Sequence, residues 1–200
     1  MSVRFETLAG ARLTESLDQL SALRLAVFRE WPYLYLGNAE SEADYLKTFA
    51  TAPDAIIVSA YDGSRIIGTA TAAPLAGHSQ EFVPLFEAHG FNPATIFYCG
   101  ESVLLPAYRG QGIGHAFFDH REAHAHALNK AGGDFRHSTF CGVVRAVDDP
   151  RKPSTYWPLD RFWHKRGYAP VANMTGNYDW REVGDTKEMP HTMQFWMRQL

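Results

Sequence analysis

Cysteine is scarce in this chain: Cys99 and Cys141 are the only two in 200 residues, and both sit inside apolar runs. A secreted domain held together by bridges would carry more, so two reduced core thiols are expected. A surplus of basic charge is also missing, with 19 Lys and Arg against 22 Asp and Glu and a net charge of −3. Nucleic-acid binders need basic charge gathered on one face, which sets that class aside. No apolar run approaches the roughly 20 residues that span a bilayer. The start, Met1-Ser2-Val3-Arg4-Phe5-Glu6, lacks a basic region followed by an apolar stretch, so no secretory leader is expected. These absences together predict a soluble, cytoplasmic protein with no membrane partner. Core-forming residues, by contrast, are plentiful at 46% hydrophobic and 14% aromatic. That excludes wholesale disorder, and the length fits a single domain over residues 1–200.

No internal repeat or low-complexity linker interrupts the chain. Val3 to Leu8 alternates and reads as a short strand. Thr14 is placed to cap a helix with Glu15 and Asp18 in its first turn and Leu17, Leu20, Leu25 and Phe28 on its apolar stripe; Pro32 stops it. Ser41 opens a second helix that runs through Phe49. Ala55–Tyr61 and Arg65–Ala73 are strands joined by Asp62-Gly63, a strong hairpin signal. A short helix is expected around Glu81 to His89, then a strand over Thr95–Leu105 and a long helix over Gly112–Ala131. Phe135–Val144 is a strand, Tyr156–Arg166 a helix, and Asn173–Arg181 with Met189–Arg198 a closing pair of strands. A strand-helix-strand unit in the middle implies one parallel pair, while the hairpins imply antiparallel neighbours. The fold class is therefore α/β (α+β): a mixed, mostly antiparallel sheet of about seven strands flanked by about four helices.

The strongest signal is the stretch Val103-Leu104-Leu105-Pro106-Ala107-Tyr108-Arg109-Gly110-Gln111-Gly112-Ile113-Gly114-His115, running from a strand end into a helix start. Free N–H groups and the helix dipole make such a place a seat for phosphate oxygens, and glycines let a phosphate come close. A Walker loop is excluded because His115 follows Gly114 where Lys is needed. A dinucleotide fingerprint fails as well, since His115 or Phe117 falls where its last glycine belongs. Glycines that merely cap a turn would not explain why they alternate directly before a long helix.

Arg109-Gly110-Gln111-Gly112-Ile113-Gly114 resembles the R/Q-x-x-G-x-G/A signature of the GNAT acetyltransferase superfamily, and Leu104 to Tyr108 resembles its lead-in. Phe162-Trp163-His164-Lys165-Arg166-Gly167-Tyr168 is similar to that superfamily's last helix. The order of elements agrees, so the resemblance covers nearly the whole chain. It implies that the cofactor is acetyl-CoA, with the loop from Arg109 through Gly110, Gln111, Gly112, Ile113 and Gly114 to His115 holding the diphosphate. It further implies that the backbone of Ser102, Val103 and Leu104 pairs with the pantetheine arm. The strands at Ser102–Leu105 and Thr139–Val143 would then splay to admit the thioester.

Acyl transfer to an amine of pKa roughly 10 requires a base. Glu101 is the candidate: it is the sole acidic residue between Thr95 and His115, and a carboxylate in an apolar strand is costly unless it faces a wet cleft or a partner. A structural hydrogen bond is the plainer reading of Glu101. The Leu104 N–H would donate to the oxyanion by the same resemblance. Many relatives carry a tyrosine acid at the place Trp163 takes here, and tryptophan cannot protonate a thiolate. Tyr156 is the substitute, with Tyr168, His164 and Cys141 as weaker ones; Tyr156 could equally pack over the cofactor.

His120 and His124 stand at metal spacing on one helix, but His120-Arg121-Glu122-Ala123-His124 follows neither zincin order, so a polar helix face is expected and no metal. The aromatic loop Trp31 to Tyr35, with Glu40, Glu42 and Asp44 after it, and the segment His78 to Phe91 are expected to line the acceptor side. Packing of helices is the competing reading for the aromatics. The expected activity is N-acetyl transfer to a small amine. A protein lysine or N-terminal acetyltransferase and a non-catalytic acyl-CoA-binding sensor are the alternatives. Relatives in the superfamily are often dimers, and the C-terminal strand offers an edge for a homodimer.

Overall fold

Asp62 and Gly63 reverse the chain between two apolar strands, β2 (Ile56–Asp62) and β3 (Arg65–Pro74), and Gly63 supplies the positive φ of 60° that the turn requires. The computed structural model describes residues 3–200; Met1 and Ser2, part of the stretch read above for a leader, lie outside the described residues. The hairpin grows outward on both sides. β1 (Val3–Thr7) pairs antiparallel with β2, and β4 (Ile96–Leu104) pairs antiparallel with β3. Helix α5 (Ile113–Lys130) then carries the chain over the sheet, so β5 (His137–Val143) lies parallel to β4. β6 (Ala169–Trp180) and β7 (Met189–Gln199) close a seven-stranded sheet of order β1-β2-β3-β4-β5-β7-β6. The outer strand on that side is β6. The C-terminal strand β7 is paired on both sides and offers no edge, contrary to expectation.

Alternation sends successive side chains to opposite faces. On one face, Val58, Ala60, Phe97, Cys99, Phe140 and Trp196 pack under α5 through Ile113, Phe117, Phe118 and Ala125. On the other, Ile57, Ile66 and Val103 pack under α1 (Gly10–Phe28) and α2 (Ala39–Thr51). Farther along that second face, Ile96, Tyr98, Phe195 and Met197 meet Leu75, Phe82 and Phe86 from the segment holding α3 (Leu75–His78) and α4 (Val83–Ala88). Cys99 and Cys141 are free thiols and point to opposite faces.

Several expected boundaries are corrected. α1 begins at Gly10, and Thr14 lies inside it with its hydroxyl donating to the Gly10 carbonyl at 3.3 Å. A hydroxyl can bond back one turn, so it need not mark a helix start. α2 is capped by Asn38, whose side chain accepts from the Ser41 N–H at 3.0 Å, so Ser41 receives the cap. α4 falls within the stretch expected to be helical around Glu81 to His89, and α3 precedes it where no helix was expected, giving six α-helices in the described residues. The last of these, α6, spans only Asp160–Lys165 and leaves Tyr156 in the loop before it. Pro158 disfavours helical backbone at Trp157, which explains the late start.

Candidate active site

At the end of β4 and the start of α5 lies the loop expected to seat a diphosphate. Gly110 and Gly112 hold φ of 76° and 85°, and a Cβ on either would meet nothing within 4 Å. The space over them is open, and the left-handed backbone is one that glycine adopts without strain. None of the N–H groups from Gly110 to His115 has an acceptor among the described residues; the first helical bond runs from Ala116 N–H to Gly112 O at 3.1 Å. Gly114 serves packing instead, since a Cβ there would come to 3.3 Å from the Phe162 ring. The Arg109 guanidinium turns away from the expected seat and bonds Leu104 O at 3.1 Å and Glu30 at 3.0 Å.

Beside that loop the sheet opens. β4 and β5 are registered only through Ile96↔His137, Phe97↔Ser138 and Tyr98↔Thr139, although both strands run on. Past Tyr98 the β4 edge is unpaired on its β5 side. Leu105 N–H donates to Ile67 O at 2.9 Å, so strand alternation turns Val103 toward β3 and points the N–H and C=O of Ser102 and Leu104 into the gap. A bulge sets the divergence, for Thr71 pairs with Glu101 but Ala73 pairs with Tyr98. Gly100 sits in this bulge, where a Cβ would come within 2.8 Å of Phe49 and 2.9 Å of Thr71 Oγ1.

Arg121, on α5, secures the bulge from beneath. It is 1% exposed, and its guanidinium donates to Glu101 O at 2.9 Å and Thr71 O at 3.3 Å. Its ring partner is Phe118 at 4.6 Å. A cation buried on carbonyls and an aromatic face satisfies backbone oxygens that the irregular strand leaves free.

Glu101 projects to the other face and is 9% exposed. Its carboxylate pairs with Arg24 of α1, which also pairs with Glu42 of α2; the latter two are 6% and 2% exposed. The Arg24 guanidinium lies 4.1 Å from the Tyr45 ring centre. One cation thus joins two carboxylates in the interior, a net charge of −1, and Glu101 Oε1 has no donor. Sequence reading found Glu101 but not Arg24 or Arg121. A signal did exist: Arg24 falls four residues after Leu20 and four before Phe28, on the apolar stripe of α1. Arg121 likewise sits between Phe117 and Ala125 on the buried face of α5. A charge on an apolar stripe needs a buried partner.

On the same face as Glu101 a cleft of about 270 Å³ is lined by Tyr45, Thr48, His78, Ser79, Glu81, Tyr98 and Tyr178. Tyr178 donates to Glu81 at 2.9 Å, and burial pushes the Tyr45, Tyr98 and Tyr178 phenols upward. Burial lowers His78, against a smaller opposing pull from Glu81. The loop Trp31 to Tyr35, expected on the acceptor side, is not among the residues lining this cleft; Arg145 donates to the carbonyls of Pro32 and Tyr33 at 2.6 and 2.9 Å, and Trp180 donates to Tyr33 O at 3.0 Å. Tyr156 rests edge-on against Trp31, ring centres 6.1 Å apart, and no contact joins it to Glu101. Trp163 packs on Phe140 and Trp196 and approaches Gly142, where a Cβ would lie 3.0 Å from its ring. His120 packs on Phe5, and His124 bonds the Asp54 carbonyl at 3.0 Å.

The family model described as the acetyltransferase (GNAT) family matches residues 22–133, from within α1 to just past α5. The chain belongs to that family. Solved structures agree in fold. A ribosomal-protein-alanine N-acetyltransferase from Brucella melitensis matches at TM-score 0.62 and 12% identity over 100% of both chains. An aminoglycoside 6'-N-acetyltransferase complexed with coenzyme A matches at 0.60 and 15% identity, over 97% of this chain and 96% of that one. A PaiA N-acetyltransferase from Thermoplasma acidophilum, in complex with coenzyme A, matches at 0.54 and 12% over 100% of both. A search of curated proteins found no match. Among the described residues no helix is long and apolar enough to cross a membrane.

Proposed function

We propose that residues 1–200 act as one domain, an N-acetyltransferase that moves an acetyl or other short acyl group from acetyl-CoA to a small primary amine. One observation carries this reading: the N–H groups from Gly110 to His115 lack acceptors directly beside the β4 edge left free past Tyr98. The first feature suits a diphosphate, and the second suits an amide-bearing arm that lies alongside as an added strand. The coenzyme A held by two structures of this fold has both parts. The backbone from Arg109 to His115 would hold the diphosphate, and Ser102 and Leu104, aided by Val103, would pair with the arm. When bound, acetyl-CoA supplies a thioester carbonyl open to attack.

Glu101 takes the proton from the incoming amine, through a water, because its carboxylate is buried against Arg24. Arg24 fixes the orientation of that carboxylate, and Glu42 fixes Arg24 in turn. Leu104 N–H donates into the same gap. Tyr156 is the acid; burial first, and Asp160 second, raise its phenol, so it enters the reaction in its protonated form. Burial pushes the Cys141 thiol up to about 12 and raises Cys99 as well. Thiols held in that form are poor nucleophiles, which favours direct attack in a ternary complex. A sensor that binds acyl-CoA without turnover is favoured by a single observation, the packed Trp163 where relatives carry a tyrosine.

Titration calorimetry with acetyl-CoA, CoA and ATP tests the cofactor; both CoA species should bind and ATP should not. Glu101→Gln should then cut turnover by about 10²–10⁴-fold while CoA affinity stays near wild type. Binding without turnover of any amine would convert the reading to the sensor. Absence of CoA binding by folded protein would remove it.

A further inference from the structure

The tyrosine-lined cleft carries charge of one sign. Among its lining residues Glu81 is the sole acidic one, and burial favours the neutral form of His78. The Tyr178 hydroxyl holds one oxygen of Glu81 at 2.9 Å; the other oxygen has no partner among the described residues. Tyr45, Tyr98 and Tyr178 present ring surfaces on three sides, from α2, β4 and β6. A carboxylate among aromatic faces attracts a cation and repels an anion.

The cleft also lies next to the proposed base. Tyr98 and Glu101 occupy the same face of β4, separated by the bulge, so about 10 Å of strand lies between them at the usual rise. Tyr45 spans the interval. Its ring covers Arg24 at 4.1 Å, and its hydroxyl overhangs Gly100, where a Cβ would come within 3.2 Å. Beyond Tyr45, Arg24 lies between two carboxylates and Glu101 Oε1 has no partner, while Glu81 lines the cleft itself.

Building on the acetyltransferase reading, we propose that the acceptor is a small aliphatic diamine: its near amine faces Glu101 and is acylated, while its far ammonium rests between Glu81 and the tyrosine rings. A volume of about 270 Å³ admits a short carbon chain of this kind. The near nitrogen enters as the free amine and gives one proton, through a water, to Glu101 as the C–N bond forms and the C–S bond breaks; CoA leaves as the thiolate and takes a proton from Tyr156, and the far ammonium is unchanged.

The test compares 1,3-diaminopropane, 1,4-diaminobutane and 1,5-diaminopentane with propylamine, butylamine and pentylamine as acceptors, using wild type, Glu81→Gln and Tyr178→Phe. At least one diamine should exceed its equal-length monoamine by about tenfold or more in kcat/KM. Glu81→Gln should erase that ratio, and Tyr178→Phe, which keeps the charge but loosens it, should reduce it. CoA titration of each variant checks that the fold is intact. Equal rates for diamine and monoamine, or a ratio that survives Glu81→Gln, would overturn the diamine assignment and leave the acetyltransferase reading standing. Failure of wild type to bind CoA would overturn both.

Discussion

The loop from Arg109 to Gly114 leaves backbone donors without partners at an open surface, whereas Arg24, Glu42 and Glu101 carry full charges into the interior and pair them there. N–H groups at an open surface can be solvated, so leaving them without protein partners costs the fold little. Buried ions have no such solvent, and each depends on its neighbours. The loop is a local device, made by consecutive residues, while the ion chain joins α1, α2 and β4 and ties the fold to the proposed chemistry. The first can be altered with little risk to folding. The second cannot.

Cutting the ion chain should give the largest effect. Arg24→Met leaves two carboxylates buried together and should cost about 3–5 kcal/mol, read as a lower midpoint in urea. The triple variant Arg24→Met, Glu42→Leu and Glu101→Leu removes the charges as a set. It should recover most of that stability yet stay inactive, which would assign the chain to function. Recovery of turnover by the triple variant would break the contrast.

A smaller effect is expected at the loop. Gly112→Ala places a Cβ at φ 85°, for about 1–2 kcal/mol of backbone strain. The open space means no clash inside the protein, but the Cβ enters the region where an anion would sit. CoA affinity measured by calorimetry should therefore fall further than stability does. Equal losses would mean that the loop acts on the fold alone.

The smallest effect belongs to an exposed ion pair in the loop that carries Tyr156. Hydrogen bonds from Arg151 hold Asp149 at about 2, below its ordinary 3.8. A lowered folded-state value means that the contribution is complete above the unfolded value and is lost as pH falls through the folded one. The stability difference between wild type and Asp149→Asn should thus shrink as pH drops from about 4 to about 2. An unchanging difference across that window would remove the ion pair as its source.

Much of this frame was legible because its causes are local. Asp62-Gly63 marks a hairpin wherever it occurs between apolar strands, and Gly110 and Gly112 supply the left-handed turns that open α5. Glu101 stood out as a lone carboxylate in an apolar strand. Its partners did not, since Arg24 and Glu42 are 18 residues apart and belong to different helices. Tyr156 was expected on a helix running to Arg166; Pro158 and the contact with Trp31 decide otherwise. What holds the aromatic loop was not legible, since Arg145 and Trp180, which bond its carbonyls, lie more than a hundred residues away in sequence.

By itself the sequence determined the family signature, the order of the main strands and helices, and the glycine-rich start of α5, since each depends on the backbone preferences of neighbouring residues. Only the tertiary structure decided which charges meet. The bulge at Gly100, the guanidinium of Arg121 beneath it and the Arg24 bridge above it bring together residues from helices on both faces of the sheet. Desolvation makes those partners necessary, and the packing of the sheet determines which ones are within reach.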